Sequence, residues 1–255
     1  MIDLHSHLLP AIDDGSASMR ASLRMAREAV AEGIEAMLMT PHHMNGRYRN
    51  NKSDVVTLTT DFQAMLNQEG IPLQVFPSQE VRINGELIEA LAADEILFAD
   101  EGNRYLLLEF PDDDVPTFSE DMIFNLMQQG ITVQIAHPER NTKLMAQPEI
   151  LYRLVERGAI AQITASSYVG VFGKKVQKFA EAIVSHNLGH VFVSDVHDLP
   201  NRTYNMQAAF DKLRKKQGAE ISELFALNAE AIIDGRPVQR LLPAPIVKRW
   251  LRNRF

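Results

Sequence analysis

No cysteine occurs anywhere in the 255 residues of this chain. That absence removes disulfide staples, thiolate metal sites and any cysteine nucleophile from the chemistry available to it. Long apolar runs are also missing. Nothing approaches the roughly 18 uninterrupted apolar residues of a membrane helix, and the start lacks the basic and then apolar segments of a secretory signal. A soluble cytoplasmic protein is therefore expected. Positive charge is in deficit: the formal net charge is −7, which argues against broad, salt-sensitive attraction to nucleic acid. No Pro/Ser-rich linker, internal repeat or low-complexity tract interrupts the chain, so residues 1–255 are expected to fold as one domain.

What is present has a rhythm. In "AEGIEAMLM", "NQEGIPLQVF", "MQQGITVQIA", "VERGAIAQIT" and "HNLGHVFVS", a helix-like mixture of polar and apolar residues ends in glycine and runs into an apolar stretch. Gly33, Gly70, Gly130, Gly158 and Gly189 are thus predicted to stop helices in the left-handed conformation just ahead of strands. Met19, Leu23, Ala26 and Val30 recur at three- and four-residue steps and predict the apolar face of a helix over 17–31. Seven strands are expected, over 2–5, 34–40, 73–77, 105–108, 132–136, 159–163 and 191–194. They are short and apolar on both faces, as in a parallel sheet covered by helices. "INGELIEALAADEILFADEGNRYL", between the third and fourth, reads as a helix and an irregular excursion. The class is α/β, one strand short of the usual barrel.

Residues of metal-ligand type fall at the ends of these strands. "MIDLHSHLLPAIDDGS" places His5 and His7 two apart at the first; His42 follows the second in "MLMTPHH" and Glu80 the third in "LQVFPSQE". Glu109 follows the fourth in "YLLLEF", His137 the fifth in "TVQIAHPER", and Asp195 and His197 the seventh in "VFVSDVH". In a barrel all such ends meet at one face. His5 and His7 share parity on an extended chain, as do Asp195 and His197, so each pair can point into the same interior. Imidazole and carboxylate without thiolate suit zinc, manganese or iron, and Glu80 or Glu109 can bridge two ions. Asp3, of the same parity but deeper, is expected to orient an imidazole. Asp13 and Asp14 are equal candidates on this reading, and His43 is expected to face away from His42. His186 and His190, at a helix end and a strand start, are expected to be structural.

The set "DLHSH", "DDG", "PHH", Glu80, Glu109, "HPER" and "SDVH" resembles the polymerase and histidinol phosphatase (PHP) family. More closely, "MIDLHSHLLPAIDDGS", "AHPERN", "ITASSYVGVFGKK" and "SDVHD" are similar to the manganese-dependent tyrosine phosphatases of bacterial capsule and exopolysaccharide loci. The resemblance spans nearly the whole chain. It implies a distorted (β/α)7 TIM-like barrel holding three divalent ions, with manganese ahead of iron or zinc. Carried over position by position, it implies one ion on His5, His7, Glu80 and Asp195, a second on Glu80, Glu109 and His137, and a third on Asp14, His42 and His197. It favours Asp14 over Asp13 and assigns Arg140 of "HPER" and Arg202 of "LPNR" to the substrate phosphate, with His42 and His197 beside them in the catalytic centre. Two departures occur: valine before the histidine of "SDVH", where alanine is commoner, and alanine in "LFALNAEAII", where the family often has proline.

The implied activity is hydrolysis of phosphotyrosine, on the tail of a membrane-associated tyrosine kinase that controls polysaccharide export. Divalent ions would supply an activated nucleophile and offset developing charge, and the two arginines would grip phosphoryl oxygens through bidentate forks. A tyrosine phenolate, with a reference pKa near 10, leaves more readily than an alkoxide. The group that protonates it is open between water and a histidine. Three alternatives remain at this level: a histidinol-phosphate or other small-molecule phosphomonoesterase, a metal-dependent deoxyribonuclease, which the acidic charge disfavours, and a binding module with structural metals. The ending "VKRWLRNRF" reads either as a final helix closing the barrel or as a contact for an anionic membrane surface or an acidic tail.

Overall fold

The alternation of helix and strand is carried through the computed structural model, which describes residues 1–247. Both readings of Lys248 to Phe255 therefore lie outside the described residues. In chain order come β1 (Ile2–Ser6), α1 (Met19–Ala31), β2 (Ala36–Met39), β3 (His42–His43), α2 (Lys52–Gln68), β4 (Gln74–Pro77) and β5 (Glu80–Arg82). Next are α3 (Leu87–Ala92), β6 (Tyr105–Glu109), α4 (Ser119–Gln128), β7 (Thr132–Ile135), α5 (Thr142–Ala146), α6 (Pro148–Glu156) and β8 (Ile160–Thr164). The described chain then runs through α7 (Ala165–Val169), α8 (Lys174–Ser185), β9 (Val191–Val193), α9 (Met206–Gln217) and α10 (Ala219–Ile233). No helix among the described residues is long and apolar enough to cross a membrane.

All seven expected strands form. Two short ones, β3 and β5, were not foreseen; each continues the line of the strand before it after a two-residue break. Every ladder is parallel: β1 pairs with β2 and β2 with β4, while β3, β5, β6, β7, β8 and β9 form a second run in that order. The far end of β9 returns to β1, with an isolated parallel bridge between Ser6 and Val196. Asp195 N–H donates to His5 O at 2.9 Å and His7 N–H to Val196 O at 3.2 Å. A small apolar cluster joins Leu4, Leu38, Tyr105, Ile160 and Val191 to Ile232 of α10, and strands so far apart in the ladder can share a cluster only if the sheet curls. The fold is thus α/β with a curled parallel sheet. A larger apolar core includes Met37, Leu106, Ile135 and Ile163 from the strands and Met25, Phe62, Leu126 and Ile183 from the helices.

The helix stops follow the glycine reading in four of five cases: Gly33, Gly70, Gly130 and Gly158 all have positive φ, from +63° to +119°. The fifth is a correction. Asn187, at φ +58°, makes the left-handed turn after α8, and Gly189 serves close packing instead, since a Cβ there would lie 3.0 Å from Ile163. Asparagine tolerates that conformation better than other residues bearing a side chain, so this helix end needs no glycine. On α1 the expected face is also rotated: Ala21, Met25, Ala26 and Ala29 are buried, while Met19, Leu23 and Val30 are partly covered. Small residues at the centre let the helix sit close to the strands.

Candidate metal centre

Register places the first ligand candidates side by side. In the β3/β5 ladder His42 is directly opposite Glu80, and in the β5/β6 ladder Glu109 is opposite Arg82. Two others lie just beyond strand ends in a backbone conformation unusual for residues with a side chain: His137 has φ +31° and Asp195 φ +49°. Such strain persists only where surroundings hold it, and it clusters at functional sites. Here it turns both side chains into one buried polar chamber.

Within that chamber His5 Nε2 lies 3.2 Å from His7 Nε2. His5 Nε2 is 3.3 Å from Glu80 Oε2 and 3.6 Å from Asp195 Oδ1; His7 Nε2 is 3.5 and 3.4 Å from the same two oxygens. Glu80 Oε1 meets His137 Nε2 at 2.9 Å, and Glu109 Oε1 lies 3.7 Å from that nitrogen. His42 faces two ways: Nδ1 is 2.9 Å from Glu80 Oε2 and Nε2 is 3.4 Å from Asp14 Oδ1. His197 Nε2 lies 3.6 Å from Asp14 Oδ1. Every residue expected as a ligand is therefore in the chamber. Three subsets offer donors within 4.8 Å of one another: His5, His7 and Glu80; His42, Glu80 and Glu109; and His7, Asp14, His42 and His197. They differ from the groups implied by resemblance in giving His42 to the carboxylate pair as well as to Asp14, in adding His7 to the last set, and in leaving Asp195 and His137 beside the groups, facing His5, His7 and Glu80, rather than within them.

The donor chemistry fits divalent cations. Glu80 Oε2 and His42 Nδ1 are buried and close, yet neither finds a hydrogen-bond partner, which leaves lone pairs aimed at shared space. Carboxylates also crowd there. Burial and then the neighbouring Glu80 raise the Glu109 carboxyl to about 7, while for Glu80 the facing imidazoles of His5, His42 and His137 outweigh burial and hold it well below the usual range. Asp195 is held well down as well, because Arg140, Arg202 and His5 outweigh burial. Burial, then Arg140, lowers His137 to about 4, which leaves a neutral ring with a lone pair to share.

The arginines expected at the phosphate stand at the mouth. Arg140 forms an ion pair with Asp195 Oδ2, and Arg202 Nη2 reaches Asp195 Oδ1 at 2.7 Å and its carbonyl at 3.0 Å. Their side chains are 28% and 20% exposed, so both remain open to a ligand. The guanidinium of Arg140 lies 5.6 Å from the centre of the Phe172 ring.

Several expectations are corrected. Asp3 does not orient an imidazole: it accepts from the N–H groups of His5 and Ser194 and from the Ser194 hydroxyl, because the β1 register slips between Asp3 and Ser6 and simple alternation fails there. Asp13 takes the orienting role, accepting from His7 Nδ1 at 2.7 Å, while Asp14 faces His42 and His197. Three expectations hold: His43 is buried outside the donor groups, His186 bonds to the Ala182 carbonyl of its own helix, and His190 accepts the Ala161 N–H from the neighbouring strand. Arg82 was missed. Its guanidinium holds Glu109 Oε2 at 2.8 and 2.9 Å, and its only trace in the sequence is its parity with Glu80. Gln134 and Gln162 were missed too, although a glutamine among the apolar residues of a largely buried strand is a visible anomaly.

A curled parallel α/β sheet with imidazoles and carboxylates gathered at its strand exits defines a metal-centred α/β protein of the hydrolase kind. The chain belongs to the family described as capsular polysaccharide synthesis, CpsB/CapC, whose model matches residues 1–234. The tyrosine-protein phosphatase YwqE of Bacillus subtilis is 40% identical over 255 residues, the whole of both chains. A solved structure from work on YwqE of Bacillus subtilis and CpsB of Streptococcus pneumoniae, described as unique metal-dependent tyrosine phosphatases, has a TM-score of 0.94 at 40% identity, over 97% of this chain and 100% of its own. The histidinol phosphate phosphatase of Lactococcus lactis shares the fold at a TM-score of 0.56 and 13% identity, over 86% of this chain and 95% of its own.

Proposed function

We propose that this chain is a metal-dependent protein-tyrosine phosphatase, acting in the cytoplasm on the phosphotyrosine tail of a membrane-associated tyrosine kinase that regulates capsule or exopolysaccharide synthesis. The observation that carries the reading is the convergence of seven ligand-type side chains in three donor groups, with His137, Asp195 and two partly open arginines beside them, on one mouth. The full-length likeness to YwqE supports the substrate class. On this reading residues 1–255 form one domain, a distorted (β/α)7 barrel, and three divalent ions, manganese ahead of iron or zinc, are held by His5, His7, Asp14, His42, Glu80, Glu109, His137, Asp195 and His197. The ions supply a nucleophile at neutral pH and a clamp for developing negative charge. Arg140 and Arg202 hold the phosphoryl oxygens, exchanging part of their contact with Asp195 for the substrate. Arg82 orients Glu109 and favours its carboxylate form, and Asp13 orients His7 by accepting from Nδ1, which leaves Nε2 to the chamber. His42 and His197 line the substrate side of the chamber and face Asp14, the most exposed of the carboxylates.

The test pairs metal analysis of the purified protein with turnover on phosphotyrosine peptides, phosphoserine peptides and histidinol phosphate. Activity on phosphotyrosine that is lost on chelation, regained with Mn²⁺ and untouched by iodoacetamide is expected, since no thiol exists to alkylate. A preference for histidinol phosphate would give the small-molecule reading its place, and full activity after rigorous chelation would remove the metal centre.

A further inference from the structure

The wall of the chamber beneath His5 contains a pair of buried amides. All five residues of β8 are buried, and its middle residue is Gln162; Gln134 occupies β7, whose ladder with β8 sets Gln134 opposite Ile160. Two glutamines placed among apolar residues cost free energy unless their polar atoms are paired, and three of the four amide atoms are, Gln134 Nε2 alone being left without a partner among the described residues. The pairing is directional. Gln162 Nε2 donates to Gln134 Oε1 at 3.0 Å, so the atom that Gln162 turns toward His5 is its carbonyl oxygen, 3.1 Å from His5 Nδ1. A carbonyl oxygen can only accept. His5 Nδ1 must therefore carry the proton, and Nε2, which faces Glu80 and Asp195, keeps its lone pair.

We infer that Gln162, held by Gln134, is a positioning residue that locks His5 in its Nδ1–H tautomer and so keeps Nε2 ready to bind a divalent cation. The inference rests on the metal centre proposed above. It also separates the two imidazoles of "HSH": His7 leans on a carboxylate, Asp13, whereas His5 leans on a neutral amide. Asp195 and Glu80 face both rings, and at His5 an amide sets the tautomer without adding a further buried anion to the wall.

The experiment uses the full chain, freed of metal, as wild type, Gln162→Leu and Gln162→Glu. Nitrogen-15 NMR of the metal-free wild type should show His5 protonated at Nδ1, and Gln162→Leu should show both tautomers. Calorimetric titration with Mn²⁺ should find one site weakened about 10- to 100-fold in Gln162→Leu, with Gln162→Glu, which restores an acceptor, recovering most of that loss. A wild-type His5 protonated at Nε2 would overturn the inference, as would wild-type Mn²⁺ affinity in a folded Gln162→Leu. Should Gln162→Leu fail to fold, the wild-type tautomer and the affinity of Gln162→Glu decide: Nδ1–H with near wild-type binding supports the role, and any other pairing rejects it. A wild type that binds no Mn²⁺ would remove the metal centre itself, and the NMR result would still report whether Gln162 sets the tautomer.

Discussion

Strand β9 has a buried histidine near each end, and the two are built in opposite ways. At the entry, His190 accepts the N–H of Ala161 through Nδ1 at 3.1 Å, and Asn228 Nδ2 donates to its carbonyl. Burial, with Arg240 nearby, lowers its ring to about 3, so it is a neutral, satisfied part of the core. At the exit, His197 donates from Nδ1 to Asp195 O at 3.1 Å while Nε2 faces Asp14, and around it stand polar atoms with no bonding partner. Burial alone therefore does not mark a site in this protein. Convergence of several nitrogen and oxygen donors on one space does.

The sharpest break in that comparison is removal of a shared carboxylate. Glu80→Ala should empty a donor from two of the groups, Asp195→Ala should remove the carboxylate that faces both His5 and His7, and in each turnover should fall by about 1,000-fold or more together with metal content, read by elemental analysis. Retained metal with wild-type turnover would contradict the shared-ligand geometry. Arg140→Ala should keep metal and fold yet lose about 2 to 4 kcal/mol of transition-state stabilisation, roughly 30- to 1,000-fold in kcat/KM. Lysine at that position should recover only part, because an ammonium cannot present a planar fork.

Gly15 tests how closely the "DDG" loop must approach the site. A Cβ there would stand 2.2 Å from His7 O and 2.4 Å from His7 Cβ, so Gly15→Ala must push the loop away and carry Asp13 and Asp14 with it. A displacement of about 1 Å is enough to cost about 100-fold in rate. Wild-type kinetics in Gly15→Ala would show that the loop adjusts freely. At the other end of β9 the smallest effect is expected. His190→Asn retains an acceptor near the position of Nδ1, so metal content and kcat/KM should be unchanged and stability should drop by about 1 to 3 kcal/mol at pH 7.

The pH dependence of that entry histidine has a definite sign. Its folded pKa of about 3 lies below the unfolded value near 6.5, so the unfolded chain binds the extra proton first. Its unfavourable effect is absent above about pH 6.5 and grows as pH falls toward 3. Urea unfolding should therefore show the gap between wild type and His190→Asn narrowing, then reversing, across that interval. A gap that stays constant from pH 7 to 4 would mean that His190 is not held neutral.

The readable parts of the sequence were those set by local pattern. The seven expected strands lie where short apolar runs occur, most of them just after a helix stop, and eight of the nine ligand candidates come together because they sit at or just beyond the ends of such runs; Asp14, on the "DDG" loop, came only from the resemblance. The misreadings share one cause, which is dependence on a partner distant in sequence. Parity placed Asp3 beside the imidazoles, yet the β1 register slips and Ser194 claims it. Arg82 and Gln162 become meaningful only when β6 and β1 supply Glu109 and His5 to hold. Gly189 was read as a helix stop because its role in packing against Ile163 has no local signature.

The sequence by itself determined the class of fold, since periodicity and helix stops are properties of neighbouring residues. It also determined the chemical character of the centre, because a chain without cysteine but with imidazoles and carboxylates at strand exits has only nitrogen and oxygen to offer a metal. The tertiary structure decided which donor faces which. Asp14 rather than Asp13 lines the chamber, His42 serves two donor groups at once, and His137 and Asp195 turn inward through positive φ angles. Those choices rest on register, strain and buried hydrogen bonds between strands, and such interactions exist only after the curled sheet has brought its exits together.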